Sequence, residues 1–351
     1  MKKFICVLLV VLQILFISAC AVQKSDEPVM LTDMDGIEIV LPESIKKIIC
    51  RSGNGTSFLV GMGLGDSLAG TADYVVTNPW AELFLPGISE MPTFGWSPSA
   101  EELYAVGADL VMLADGEVAS SLRDVGINAI CYKQYNEEEL LGSVRLLGEL
   151  FGDDAKAYGN KWLDYYQNTV DYLSDALSSI DGERPKVYYI YGQSNKGPGR
   201  TSGGGSIEEL WIEQAGGIFT TSDLPNDGPT INEEEAISRN PDVILIGGIY
   251  NSVLTETLLS SPEWSEVSAV KCGKIFSIPI GFIPWDFYGV EYPLLLLWAA
   301  QQMYPDIIDI DMHSKTKEFY DEFYDITLSD EQITYMLAGL SPDGGNYIEN
   351  P

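Results

Sequence analysis

The sequence predicts an α/β protein built as two Rossmann-like lobes, each around a mainly parallel sheet, joined by one long rigid helix. Three observations carry this. Short β-rich runs alternate with helical segments in both halves; a single long amphipathic stretch separates the halves; and the halves share a helix–Asp–strand plan. In the first half, "KKIIC" (Lys46 to Cys50), "SLAGTA", "DLVML" (Asp109 to Leu113) and "NAICY" have strand character. Between them, "TSFLVGMG", "PSAEELYAV", "VASSLRDVG" and "NEEELLGSVRLLGELFG" have helical spacing. Such alternation implies a mainly parallel sheet covered by helices.

The separating stretch carries Trp162, Tyr165, Tyr166, Val170, Leu173 and Leu177 on one stripe at helical period. From about Asp154 to Ile180 it spans on the order of 40 Å at ~1.5 Å per residue. Asp181-Gly182 ends it and Pro185 blocks resumption. Alternation resumes with "KVYYIYG", "SIEELWIEQAGG", "NEEEAISRN", "DVILIGG" and "KIFSIPIG". The expected division is a first lobe over 31–152, a connecting helix over 153–182 and a second lobe over 183–345. Duplication is expected too. Ser97 to Asp115 and Thr230 to Gly248 each run capped acidic helix, break, Asp and apolar strand, with Glu101 eight positions before Asp109 and Glu234 eight before Asp242.

The N-terminus has a basic start (Lys2, Lys3) and an apolar run from Phe4 to Phe16, too short to span a bilayer comfortably but suited to an export signal. Ser18-Ala19-Cys20 resembles a bacterial lipobox. This implies a signal peptide over 1–19, acylation of Cys20 and a flexible tether over 20–30, so that the mature body is extracytoplasmic and anchored to the membrane by lipid. With 52 Asp and Glu against 20 Lys and Arg and a net charge of −32, the chain lacks the basic surface a nucleic-acid partner needs. Cys50, Cys131 and Cys272 are far apart and form no CxxC pair, so neither a zinc site nor a disulfide framework is signalled. The single histidine, His313, lies in a polar stretch, which excludes sites needing several imidazoles and leaves only that one residue for a Ser-His-Asp triad.

With these elements in order, "GMGLGDSLAG", "PSAEELYAVGADLV", "TSGGGSIEELWIEQAGG", "INEEEAISRNPDVILI" and "PLLLLWAAQQMYP" together resemble the class III solute-binding proteins of bacterial ABC importers. That family takes up ferric siderophores, haem and cobalamin. The resemblance covers about 31–340. It implies a class III periplasmic-binding-protein fold, no enzymatic activity, no intrinsic cofactor and no resident metal. A monomer would hold one metal complex in the cleft between its lobes. It also implies a surface glutamate on each lobe that docks onto arginines of the permease dimer, here Glu101 and Glu234. A carboxylate at an exposed helix start suits oriented capture by a basic partner. Glu102, Glu233 and Glu235 crowd both positions and leave the register open.

Ligands of α/β sheets collect beyond the carboxyl ends of strands. Tyr191 ends a predicted strand, and the stretch "GPGRTSGGGSIEELW" follows it. Within that stretch Arg200, Thr201 and Ser202 are candidate ligand contacts, and Gly203 to Gly205 permit close backbone approach. Ser206 suits an N-cap completed by Glu209, whose free amides favour an anionic or carbonyl group. Absence of a lysine after the glycines rules out a P-loop. Arg51 ends the first strand and faces the cleft from the other lobe. The family more often has a small polar residue or proline there, so this departure points to an anionic ligand. Aromatic residues in loops, Tyr74, Trp96, Tyr250, Trp285 and Tyr288 among them, supply a wall for a macrocycle or aromatic chelator. Tyr191 and Tyr288 are also candidate ligands for haem iron. The "GMGLG" of residues 61–65 closes a helix, so it is no dinucleotide fingerprint.

The expectation is therefore an iron complex, siderophore or haem, or a corrinoid, delivered to an ABC importer. Two alternatives stay open at this point: a molybdate or tungstate oxyanion held by Arg51 and Arg200, and an extracytoplasmic hydrolase using Asp73 and Asp286, for which the sequence offers no supporting carboxylate pair.

Overall fold

The computed structural model describes residues 30–180, 182–192, 197–248 and 251–346. Cys20 and Tyr250, expected as lipid anchor and ligand contact, lie outside the described residues.

The chain enters through an antiparallel hairpin, β1 (Met30–Thr32) and β2 (Glu38–Val40). Its turn is closed by the Asp33 carboxylate, which accepts from the amides of Asp35 and Ile37. Three-residue strands with an exposed face carry too little pattern to read, and this hairpin was not anticipated. The first lobe follows as a parallel sheet of β3 (Ile48–Cys50), β4 (Leu68–Gly70), β5 (Leu110–Leu113) and β6 (Ala129–Cys131), in the order β4-β3-β5-β6. Its main helices are α1 (Gly53–Gly61), α2 (Ala100–Val106), α3 (Gly116–Asp124) and α4 (Glu137–Phe151).

After Gly152 comes α5 (Asp153–Leu177), the expected connecting helix, about 37 Å long at ~1.5 Å per residue. It packs along α4 so closely that a Cβ on Gly148 would meet Lys156 Cα at 2.9 Å. A glycine is needed there.

The second lobe holds β7 (Lys186–Gly192), β8 (Ile218–Phe219), β9 (Val243–Gly248) and β10 (Ile275–Ser277), all parallel, in the order β10-β9-β7-β8. Its helices are α6 (Ile207–Gln214), α7 (Glu233–Ser238), α8 (Asn251–Ser260), α9 (Tyr292–Met303), α10 (Met312–Tyr324) and α11 (Asp330–Leu337). In each lobe the first strand has the second on one side and the third and fourth on the other, so the two sheets share one topology. The repeated aspartate explains itself. Asp109 Oδ2 accepts from the amides of Lys46 and Lys47, and Asp242 Oδ2 accepts from that of Lys186. In both lobes this carboxylate ties the third strand's entry to the first strand's entry, satisfying amides ahead of the sheet ladder.

The largest apolar core runs through both lobes, and each lobe has a smaller separate cluster, around Trp264 in the second and Val111 in the first. Across the largest core Phe58 of α1 meets Trp162 of α5 edge-on at 5.0 Å, Trp162 stacks on Tyr166, and Tyr166 stacks on Tyr292 of α9 at 5.8 Å. Such pairs add about 0.5–1.5 kcal/mol each beyond area burial. The chain after β10 also bonds to the first lobe and to α5, the connecting helix. Asn78 donates to the carbonyls of Gly281 and Phe282, Trp80 Nε1 to that of Leu340, and Trp162 Nε1 to that of Val290. Among the described residues no helix is long and apolar enough to cross a membrane.

Candidate functional site

Both sheets reverse strand order between their first and third strands, and crevices form outside the carboxyl ends there. In the first lobe that crevice lies at the ends of β3 and β5. Arg51 follows β3 and its amide donates to Met112 of β5 at 3.0 Å. The residue is only 5% exposed, yet among the described residues Nε and Nη1 have no hydrogen-bond partner and no carboxylate forms an ion pair with it. Trp96, 71% exposed, lies over the guanidinium at 4.2 Å. Together with Asn54, Asp115, Tyr132, Gln134 and Tyr135 they surround a cavity of about 190 Å3.

Tyr74 lines the same cavity and takes it to the seam. Its hydroxyl oxygen accepts from the Gly53 amide, and burial pushes its phenol up. Its ring meets Phe287 edge-on at 5.6 Å, and Phe287 stacks on Tyr191 of β7 at 6.2 Å with planes 3° apart. Arg200 then lies over Tyr191 at 5.9 Å, its Nε again buried and unpartnered. A line of rings thus crosses between lobes with a guanidinium near each end. In a chain of net charge −32, arginines left without a carboxylate are conspicuous. Leaving a buried charged donor unpaired costs several kcal/mol, on the order of 1–3 per group or more, unless something else supplies the acceptor.

Phe287 is set by its neighbour. Asp286 Oδ2 accepts from Tyr189 Oη at 2.7 Å and from the Gly248 amide at 3.1 Å, pinning the turn that carries Phe287 to the end of β9. Tyr288 follows in a left-handed conformation at φ 60°.

Several expectations need correction. Trp285 is not a cleft wall: it is fully buried and its Nε1 donates to Tyr320 Oη at 3.1 Å. Thr201 is buried, with its hydroxyl donating to the Tyr189 carbonyl, and Ser202 is buried beside it. The glycines pack on their own chain. A Cβ on Gly203 would meet the Pro225 carbonyl oxygen at 2.1 Å, and one on Gly204 that of Ser222 at 2.1 Å. The helix start is filled as well: Ser206 Oγ accepts from the Glu209 amide, and the Glu209 carboxylate reaches back to the Gly205 amide at 2.6 Å. The stretch is a scaffold, and the Arg200 guanidinium packs against Gly228, where a Cβ would meet its Cζ at 2.8 Å. Tyr288 is half-buried, and burial with the nearby Glu208 pushes its phenol far up; burial and Asp286 likewise raise that of Tyr191. Neither environment favours a phenolate bound to metal. Of the two hydrolase candidates, Asp73 is exposed while Asp286 is buried and tied to Tyr189 and Gly248, so they do not form a pair. Among the described residues there is no cluster of His, Cys, Asp or Glu that holds a metal.

The sequence reading missed Gln134 and Tyr135, which follow β6 as Arg51 follows β3. The strand-end rule that selects Arg51 selects them also. Larger grooves lie elsewhere, about 480 Å3 beside Leu259 and Leu340 and about 560 Å3 beside Arg184, but the first is apolar and the second has its arginine bonded to the carbonyls of Gly216 and Gly217.

The exposed acids sort themselves. Glu102 closes the capping box of α2 with Ser99. Glu233 accepts from Trp264 Nε1, and Glu235 pairs with Arg239 at 2.9 Å. Glu101 and Glu234 remain, exposed and without a partner among the described residues.

Residues 48–280, well over half of the chain, match the periplasmic binding protein family, and the chain belongs to that family. It is 24% identical over 255 residues to the molybdate-binding protein MolA of Haemophilus influenzae, covering 65% of this chain and 70% of that protein. To a cobalamin-binding protein of Halobacterium salinarum it is 24% identical over 230 residues, 63% of this chain and 58% of the relative. The crystal structure of a periplasmic solute binding protein from Veillonella parvula matches at a TM-score of 0.77 and 23% identity, across 92% of this chain and 100% of that one. The expected class III α/β architecture is borne out, and the protein is a periplasmic binding protein by family.

Proposed function

We propose that this chain is a lipid-anchored extracytoplasmic receptor that captures an anionic metal chelate, an iron–siderophore complex foremost, and hands it to an ABC importer. The observation that carries the reading is the buried guanidinium of Arg51, with Nε and Nη1 lacking a partner among the described residues, and half-buried Arg200 with its Nε likewise, bracketing the rings of Tyr74, Phe287 and Tyr191. Guanidinium groups recognise carboxylate, catecholate and oxyanion oxygens by paired donors, and the rings bind the organic body. A macrocycle such as haem or a corrinoid is less well served, because Trp285 belongs to the core and burial raises the phenols of Tyr191 and Tyr288. Acylated Cys20 would tether the receptor, and Glu101 and Glu234 would dock on the permease, since their neighbours are held in local bonds.

A second reading, a molybdate-like oxyanion, is favoured by the small first-lobe cavity and by the relative named for molybdate. Native mass spectrometry of the freshly purified protein separates them. One co-purified organic chelate per chain is expected; a bare oxyanion supports the second reading, and a protein that retains and takes up no solute refutes both.

A further inference from the structure

The first-lobe cavity contains an unmet acceptor as well as unmet donors. Gln134 is 7% exposed and lies at the cavity below Trp96. Its Nε2 donates to Ser143 Oγ at 2.8 Å and to Tyr132 Oη at 3.2 Å. Ser143 Oγ itself donates to the Leu140 carbonyl at 2.8 Å, so its proton is used and it faces Gln134 only as an acceptor. That orients the amide. In the observed orientation Nε2 faces Ser143, and Oε1 is buried with no donor among the described residues. On the rim Asp115 adds a carboxylate, held as the N-cap of α3 by bonds from the amides of Glu117 and Val118. The residues lining this cavity therefore include Arg51, whose buried Nε and Nη1 lack acceptors among the described residues, and Gln134, whose buried Oε1 lacks a donor.

We infer that this cavity is a subsite for an arm that joins an anionic oxygen to a protonated hydroxyl or amide, the anionic oxygen meeting Arg51 and the N–H or O–H meeting Gln134. Gln134 is the residue that determines specificity. At about 190 Å3 the cavity admits such an arm and not a whole chelate, since complete ligand pockets run from roughly 300 Å3 upward. A fully deprotonated tetrahedral oxyanion satisfies Arg51 but leaves Gln134 Oε1 unmet and faces Asp115. A site built to bond a hydroxyl discriminates strongly against an analogue that lacks it, because its own buried group is left unpaired. The inference rests on the receptor reading and narrows the chemistry of its solute.

Citrate and tricarballylate, which differ by one hydroxyl, test it as metal-free probes in titration calorimetry on the solute-free, full-length protein. Citrate is expected to bind about tenfold or more tightly than tricarballylate or molybdate. In Gln134→Met the preference for citrate should vanish while tricarballylate affinity is kept, and Arg51→Gln should weaken both. Equal affinity of the wild type for the two acids, a preference that persists in Gln134→Met, or binding of neither acid overturns the subsite. Gln134→Leu serves if the methionine variant does not fold; it should lose the preference for citrate while keeping tricarballylate affinity, and a preference that persists in folded Gln134→Leu counts against the assignment. The receptor reading is judged separately by the co-purified solute: a solute present while the tricarboxylates fail removes the subsite alone.

Discussion

Replacing Asp286 by asparagine changes how stability depends on pH, and the structure sets the size of the change. Asp286 is sealed beneath Phe287 with Oδ1 unpartnered, and burial raises its carboxyl from an ordinary 3.8 to about 6, against the bonds from Tyr189 and Gly248 and with the help of nearby Glu208. At 1.36 kcal/mol per pH unit, the folded protein prefers the neutral acid by about 3 kcal/mol. The sign follows from the folded value lying above the unfolded one. This stabilisation is full below pH 3.8 and is lost as pH rises through 6, so the wild type weakens across the interval from about pH 4 to pH 7. Glu291, buried with Oε2 unpartnered and raised to about 7, acts in the same direction at slightly higher pH. Asparagine does not titrate. Urea unfolding of wild type and Asp286→Asn at pH 4.5, 6 and 8 should give a stability difference that moves by about 2 kcal/mol in favour of the variant as pH rises, since part of the ~3 kcal/mol is already lost at pH 4.5. A difference that stays constant over this range would mean that Asp286 ionises as an exposed carboxyl does, and the sealed geometry would be wrong.

Arg51→Gln and Arg200→Gln should each weaken binding of the co-purified solute by about 10–100-fold, the loss of a charge-assisted contact, with unfolding curves unchanged; calorimetry decides, and unaltered affinity in both moves the site elsewhere. Trp285→Ala should cost about 3–5 kcal/mol of stability by opening a core cavity, measured by denaturant melts, whereas a folded variant of native stability that has lost only ligand binding would restore Trp285 to the wall. Glu101→Ala combined with Glu234→Ala should abolish uptake in cells while solute affinity and melting temperature stay at wild-type values; full uptake would remove these positions from the permease interface.

The alternation of strand and helix, the single long helix and the doubled plan were legible in the sequence because each is written locally. Periodicity records which face a segment buries, and Asp109 and Asp242 mark strand entries by bonding amides only a strand away in space. Arg51, Tyr191 and Arg200 were legible by the same logic, as residues that leave the carboxyl ends of strands. The glycine-rich stretch misled for a physical reason: sequence records that a backbone is crowded, not what crowds it, and here the crowding atoms are the carbonyls of Ser222, Leu224 and Pro225. Trp285 misled likewise, since an aromatic residue in an irregular loop is silent about which side of that loop faces water.

Sequence alone determined the family, the two-lobe plan and an acidic surface with few cations, since these rest on local pattern and composition. Only the tertiary structure decided which polar atoms lack partners. Pairing is a property of neighbours brought together from distant positions: Ser143 orients Gln134, and Trp264 and Arg239 occupy Glu233 and Glu235. It also leaves Arg51 and Arg200 unpaired at the ends of one aromatic line.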